Sequence, residues 1–411
     1  MKLRHFGAVA VAALLSLAAV SQASAIGLFY GLPTATLPLT GLESMPADTQ
    51  ASQGINPATE YITTAQMQSS AAAVNNVLVC GDFGTCPWQR GTGTSGDISS
   101  TVTYWADRWA NLGAAGSAIN VSRQTGSTDV TAGYGASLRF QRKSSNADIN
   151  AICMAQTIES ADSYQFQSGT AVLSFHALAG ANFSAASNNV QVTIATGTGV
   201  DGSTTNLFAG GWTGYANTYQ ANTAISTTWT RYTVAVAVPA TAKQIGVKFC
   251  YTPVGTAGAN DWLELAGVTL TKTILSASAL NGQPTLGPGY QRLPIELETL
   301  RAQRYYIEFD EGAAGPMRAT GEATTTTNAR IFVKLPVTMR AAPTGTYTAG
   351  FAAAKSDGTA QACTALGTVT SSGTTNSITV DCTVSANLTA GNATALIDNG
   401  GSGVIKLSSD L

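Results

Sequence analysis

The chain has 411 residues and a formal net charge of −2 at pH 7, and only 11% of its residues are charged, against roughly 25% in ordinary globular proteins. Its hydrophobic content of 44% suffices to bury a core and excludes intrinsic disorder. The near-neutral charge leaves no electrostatic footprint for nucleic acid or for acidic membranes. The polar surface must therefore be built from Ser, Thr, Asn, Gln and Gly rather than from ions, a composition that suits β-rich proteins exposed outside cells.

In chain order, residues 1–25 have the layout of a secretory leader. Lys2 and Arg4 give a positive start, Phe6 to Val20 an apolar stretch too short to span a bilayer, and Ala23-Ser24-Ala25 a small-residue cleavage site. No other apolar run approaches transmembrane length, so the mature chain is expected to be soluble, with no membrane partner once the leader is removed. Residues 26–76 follow as an extended N-terminal segment. Its prolines exclude a long helix, apart from a short one near Thr63 to Ala73, and Ser69 to Asn76 (SSAAAVNN) reads as a linker.

The stretch from Val77 to Trp109 reads as the opening strand and first crossing of a jelly-roll β-sandwich. A Gly-Asp-Phe turn leads to Trp-Gln-Arg-Gly, then a polar loop, then aromatics set against a core. Over residues 77–275 the pattern is period-2 alternation broken by Gly, Asn and Ser clusters, as in an all-β sandwich. Expected strands include VLSFHAL (Val172 to Leu178), NVQVTIAT (Asn189 to Thr196), WTRYTVAVAV (Trp229 to Val238) and WLELAGVTL (Trp262 to Leu270). After a Gly/Pro-rich connection at Gly282 to Gly289, residues 290–411 form a smaller C-terminal β domain. There Ile295, Leu297 and Leu300 suit a short helix and Arg304-Tyr305-Tyr306 opens a strand.

Six cysteines, an even number, agree with an oxidising compartment. Their order suggests Cys80 with Cys86, Cys153 with Cys250, and Cys363 with Cys382, although spacing alone leaves the connectivity open and buried free thiols are the bland alternative. No spacing resembles a zinc site. For catalysis the sequence has little: His5 lies in the leader, and His176 stands alone in a strand without a nucleophile motif nearby. The acidic pairs Glu296/Glu298 and Asp310/Glu311 read as solvated charges beside a helix or turn. The expectation is a non-enzymatic protein, with glycan hydrolysis kept open because its two acids can be far apart in sequence.

Several of these segments resemble phage tail-fibre and virion-surface proteins. Val77 to Trp109 is similar to their "NGDF…WQRG…YTADRW" run, and Gly27 to Gln68 to their "LPLTG-E…P-DT…G-NP-TE-I…AQL" segment. TTWTRYTVAV resembles "TTWQRYTVTF", GYQRLPIELETLRAQRYYIEF resembles "PFERRPIGEELALCQRYYE", and RIFVKLPVTMRAAPTGTY resembles "VRFPVTMRATPT". The likeness runs from about Ala35 to Leu411. It departs at Cys80, where the pattern has Asn, at the added Cys86, at Ala302, where the pattern has Cys, and in the leader, which virion proteins do not need. The resemblance implies a virion structural or adhesive protein of tail-fibre or head-appendage type, displayed on the virion surface. Its N-terminal segment would attach to other virion proteins, its carbohydrate-module-like sandwich would contact host surface polysaccharide, and it would be a homotrimer. The rival, favoured by the leader, is a secreted bacterial carbohydrate-binding protein. A glycan hydrolase is supported only by analogy of fold.

Within that frame Trp105, Trp109, Trp229 and Tyr232 occupy core-like alternating positions. Trp212, Tyr215 and Tyr219 lie in GGWTGYANTYQ, whose Gly and Asn content signals a loop. There they could stack on the apolar face of a pyranose, or pack on their own sandwich or a neighbouring subunit. Jelly-roll carbohydrate modules often hold a structural calcium near their first and last strands. The matching positions are Asp82 and Glu264, with a simple turn cap as the alternative for Asp82.

Overall fold

A computed structural model describes residues 44–47, 60–63, 76–98, 102–113, 117–126, 133–273, 275–281, 290, 292–310, 317–367, 374–400 and 403–411. The leader, most of the N-terminal segment, the expected helix near Thr63 to Ala73, the Gly282–Gly289 connection and Glu311 lie outside them. The chain divides into two compact units, Met1–Thr64 and Ala65–Leu411. In the first, β1 (Ser44–Ala47) pairs antiparallel with β2 (Glu60–Thr63).

The second unit opens with the sandwich strands β3 (Gly93–Ile98), β4 (Thr103–Tyr104), β5 (Ala110–Gly113), β6 (Ser117–Gln124), β7 (Ser137–Arg142) and β8 (Ile152–Ile158). They continue with β9 (Thr170–Ala179), β10 (Asn189–Gly197), β11 (Ala216–Ala224), β12 (Thr230–Ala237), β13 (Gln244–Tyr251) and β14 (Trp262–Thr273). Short helices α1 (Ser160–Ser163) and α2 (Thr204–Ala209) sit between strands, and α3 (Ala277–Leu280) follows the last of them. Two six-stranded antiparallel sheets result, ordered β11-β10-β13-β8-β5-β4 and β12-β9-β14-β7-β6-β3. The fold is the expected all-β jelly roll, and the four strands read from alternation are β9, β10, β12 and β14. Alternation explains the layering: Leu173, Phe175 and Ala177 of β9 and Val190, Val192 and Ile194 of β10 all enter one buried core, while the intervening residues point to the opposite sheet face, where Val172, Ser174 and Thr193 are buried too.

One sequence expectation fails here. Residues 77–92 form no strand; they fold as an irregular buried plug. Cys80, Phe83 and Trp88 all adopt left-handed backbone (φ 58°, 58° and 50°), which a strand cannot accommodate. The plug is closed by the Cys80–Cys86 disulfide, by Trp88 Nε1 donating to the Phe83 carbonyl at 2.8 Å, and by Phe83 packing on Trp109 at 5.6 Å. Gly81 is required because a Cβ there would lie 2.1 Å from the Val268 carbonyl oxygen. Asn76, at the end of the expected linker, is instead a fixed anchor: its Oδ1 accepts from Leu78 and Leu270 N–H, and its Nδ2 donates to the Val268 carbonyl.

Helix α4 (Ile295–Gln303) leads into the C-terminal strands. These are β15 (Tyr306–Phe309), β16 (Met317–Ala323), β17 (Asn328–Lys334), β18 (Thr344–Tyr347), β19 (Phe351–Lys355), β20 (Ala360–Ala362), β21 (Ala365–Gly367), β22 (Ser377–Thr383), β23 (Ala393–Asp398) and β24 (Ile405–Ser408). A three-stranded sheet, β15-β24-β18, and a seven-stranded sheet, β20-β19-β23-β16-β17-β22-β21, share a second core containing Ile331, Phe351, Leu396 and Leu407. Helix α4 is oriented against expectation: Ile295, Leu297 and Leu300 are exposed, while Glu298 is fully buried. Ala302 and Tyr305 pack into the first core rather than the second. The burial of Glu298 corrects its reading as a solvated charge. Its carboxylate accepts from Cys80 N–H and from Arg301, so the buried plug and the helix satisfy each other.

The two cores are joined through the last residues. Asp410 pairs with Arg90 and Arg108, Tyr104 donates to the Leu411 carbonyl at 2.5 Å, and Arg108 stacks over Tyr305 at 4.0 Å.

Candidate functional site

Strand register builds a transverse row on the outer face of the first sheet. Cys153 of β8 lies opposite Cys250 of β13, Cys250 opposite Gln191 of β10, and Gln191 opposite Asn222 of β11. Because Val192 and Phe249, one residue along, belong to the core, this row must face away from it. Cys153 and Cys250 are disulfide-bonded, and the row forms part of a cleft of about 450 Å³ lined by Ala151, Cys153, Ala186, Asn189, Gln191, Asn222, Cys250 and Thr252. That volume lies within the range of small-molecule sites.

The cleft is shaped by its surroundings. One wall is the turn Ala186–Asn188, where Ser187 and Asn188 are both left-handed (φ 56° and 55°). Two successive non-glycine residues in that region cost free energy and recur at functional sites. Gln220 of β11 donates to Gln191 Oε1 at 3.0 Å, holding that amide in place from the outside. The side chains lining the cleft are amides, a hydroxyl, methyls and the cystine, with no charge among the described lining residues. Lys248 shares the face but is turned away, its Nζ donating to the Leu207 carbonyl at 3.4 Å; burial lowers its pKa. Amides and hydroxyls both donate and accept, so the cleft can bind a neutral polar ligand through hydrogen bonds; its described lining residues include no acid or base.

The three aromatics expected to form a sugar platform are not brought together. Trp212 is 5% exposed and belongs to a small cluster with Ala155, Ala195 and Leu207 beneath α2. Its Nε1 donates to the Ser203 carbonyl at 3.1 Å, and Gly246 leaves room for the ring, since a Cβ there would lie 3.1 Å from Trp212 Cη2. Tyr215 packs edge-on to Trp212 at 6.3 Å and donates to Asn217 Oδ1 at 2.5 Å. Tyr219 is not in the loop at all: it lies in β11 opposite Ile194 and packs on the main core. Trp212 and Tyr219 therefore serve opposite faces of one sheet. The loop is where the Gly and Asn composition put it for Trp212 and Tyr215, and of the two readings of its aromatics the one that holds is packing on their own sandwich; composition marks a bend without saying which way its aromatics fold.

Asp82 and Glu264 are each already engaged. Asp82 Oδ1 accepts from Thr85 N–H and Oγ1 at 3.0 and 2.9 Å, the turn-capping alternative, while Oδ2 pairs with Arg292 at 2.9 Å. Glu264 accepts from Ser137 at 2.7 Å and pairs with Arg139. Among the described residues, the group of ligating side chains that come together is Cys80, Cys86 and Asp107, which includes neither, and its two sulfurs are already joined. A buried cation of the protein's own stands elsewhere. Arg142 donates to Asp261 at 2.8 Å, to Ser184 Oγ at 3.0 Å and to the carbonyls of Asn146, Asp148 and Gly255.

Asp107, buried beside the Cys80–Cys86 bridge, has its pKa pushed up to about 6 by desolvation. His176 is half-buried between Arg231 of β12 and the Tyr134 ring, 5.2 Å away. Burial, then Arg231, lower its pKa to about 4, so it is neutral at physiological pH. Of the aromatics assigned to the core, Trp109 is wholly buried, Trp105 and Tyr232 pack on the core from its edge, and Trp229 is partly buried outside it. The third disulfide, Cys363–Cys382, fastens β22 to the residue that directly follows β20.

Apart from Cys153 and Cys250, expected only as a disulfide, the residues of the cleft were missed from sequence. The signal was present in NVQVTIAT, whose alternation puts Gln191 outward. What the sequence lacked was the register that sets it beside Cys250 and Asn222.

Fold and site together define a two-core β protein whose jelly-roll sandwich carries an uncharged cleft on one sheet face. No protein-family model matches the chain, and no curated protein matches it significantly. Among solved structures, it is similar to a carbohydrate-binding module, CBM4, at 16% identity over 35% of this chain and 74% of the other, with a TM-score of 0.24. It is also similar to the enzymatically active domain of tailspike protein 4 of bacteriophage CBA120, at 12% identity over 49% of this chain and 22% of the other, TM-score 0.30. A third is the CBM22-1–CBM22-2 tandem domain of Paenibacillus barcinonensis Xyn10C, at 10% identity over 77% of this chain and 94% of the other, TM-score 0.25.

Proposed function

We propose that this protein is a non-catalytic glycan-binding adhesin, displayed on a virion surface, which holds host surface polysaccharide in the cleft over Cys153–Cys250. The observation that carries the reading is the roughly 450 Å³ cleft lined by Asn189, Gln191, Asn222 and Thr252. Side chains that donate and accept suit sugar hydroxyls, which do the same. The described lining residues include no carboxylate, whereas glycoside hydrolysis generally uses two. The tail-fibre motifs support the virion as the place of display; the leader-like start supports secretion from a bacterium as the second reading. Asp82 and Glu264, the positions expected for calcium, pair with Arg292 and Arg139.

The test is a glycan array probed with the wild type and with Gln191→Ala and Asn222→Ala. Binding to one family of host polysaccharides, lost at least tenfold in both variants, is the expected result. Unchanged binding in both variants would move the site elsewhere, and release of reducing sugar from the bound glycan would make the protein a hydrolase.

A further inference from the structure

Resting on that reading of the cleft, we infer that its ligand is an uncharged pyranoside, and that the Cys153–Cys250 disulfide is the apolar floor against which the C–H face of the sugar lies. Sugar sites need two kinds of surface: polar groups at the ring edge for the hydroxyls, and something apolar beneath the ring. Here the polar part is given by Gln191, Asn222, Asn189 and Thr252, while the aromatics that could have supplied the apolar part are used elsewhere. Trp212 is sealed under α2 and Tyr219 packs on the core. What remains in the cleft is the cystine, flanked by Ala151 and Ala186.

The geometry suits the role. The two cysteines are directly opposed across β8 and β13 on the outward face, so the bridge lies flat on the sheet rather than projecting from a loop. Each cysteine is 8–9% exposed, and that exposure falls at the cleft. Disulfide sulfur is uncharged and polarisable, so it offers dispersion contact to an apolar C–H face laid against it. Stepping outward along the row, the next strand presents Gln191 and the one after it Asn222, each about 4.8 Å further on. A ring seated on the bridge therefore has its edge within reach of the first amide, and the second amide meets the hydroxyls of an adjoining residue.

The same lining sets the charge. An anionic sugar would enter a cleft that offers no cation among its described lining residues, with Lys248 bonded to the Leu207 carbonyl. Burying an unpaired charge is costly, so a neutral glycan is preferred over a uronate or sialylated one.

The experiment compares Cys153→Val/Cys250→Val with Cys153→Ser/Cys250→Ser by titration calorimetry against the best neutral glycan of the array. Both variants lose the covalent bridge; only the first keeps an apolar floor. Each is assayed well below its own melting midpoint. The valine variant should stay within about threefold of wild type, and the serine variant should bind at least tenfold more weakly. Equal affinity in the two variants, whether both retained or both lost, would overturn the floor while leaving the cleft's amide variants to judge the binding reading separately. A measurement on the wild type alone guards against misfolding of the variants. An all-equatorial pyranoside, with a continuous C–H face, should bind at least tenfold better than an epimer whose axial hydroxyl interrupts that face. Equal binding of the epimers, or preference for an anionic glycan, would overturn the inference, and absence of any glycan binding would overturn it together with the function on which it rests.

Discussion

Replacing Trp212 by alanine should destabilise the sandwich without touching ligand binding directly, the reverse of what its loop sequence suggests. The ring is 95% buried against Ala155, Ala195 and Leu207, and its Nε1 satisfies the Ser203 carbonyl at 3.1 Å. Large-to-small replacement of a buried Trp costs about 3–5 kcal/mol. The cluster lies on the outer face under the six-residue α2 rather than in the main core, so water and the helix can partly fill the void. The lower end, about 3 kcal/mol, is expected. For a sandwich of this size each kcal/mol shifts the thermal midpoint by about 2–4 °C, giving a fall of about 6–12 °C. Differential scanning calorimetry reads this directly, with Gln191→Ala as the comparison, since a partly exposed polar side chain on the outer sheet face should cost no more than about 1 kcal/mol. Trp229→Ala, at a partly buried position outside the core, should fall between the two. A Trp212→Ala protein that melts with the wild type but no longer binds glycan would refute the packing argument.

Asp107 gives a pH dependence. Its carboxyl is raised from 3.8 to about 6 by burial, so the folded state keeps a proton that the unfolded chain has already released. Its contribution is therefore fully favourable below pH 3.8 and is lost as pH rises through 6. Asp107→Asn, which tolerates the φ of 45° at this position, should match wild type near pH 4 and exceed it above pH 6 by up to about 3 kcal/mol. Urea midpoints across pH 4–7 check this, and a pH-independent difference would contradict it. Arg142→Met leaves Asp261 as an uncompensated buried charge and should cost about 3–5 kcal/mol, partly recovered in Arg142→Met/Asp261→Asn; no recovery in the double variant would show the carbonyl contacts to dominate. The homotrimer implied by the tail-fibre resemblance is checked by mass photometry of the purified protein, and a clean monomer at micromolar concentration would dispose of that expectation.

The sequence by itself determined the layers of this protein. Period-2 alternation in β9, β10, β12 and β14 sends its large apolar residues to one face, which marked VLSFHAL and NVQVTIAT as sandwich strands whatever their partners; that the opposite face of β9 and β14 is also buried came only with the packing. Even the cysteine order was enough to suggest the three bridges that form. Only tertiary structure decided what stands beside what. Register sets Gln191 next to Cys250 and Asn222, and no local pattern encodes register between strands dozens of residues apart. Packing direction was equally hidden. Gly and Asn around Trp212 marked a bend correctly, but whether its ring met solvent or Leu207 depended on the space left by Gly246 in a different strand. Helix α4 shows the limit most clearly. Its leucines face outward and Glu298 inward because the plug at Cys80 presents an N–H that must be satisfied, and a buried polar group without a partner costs more than an exposed leucine.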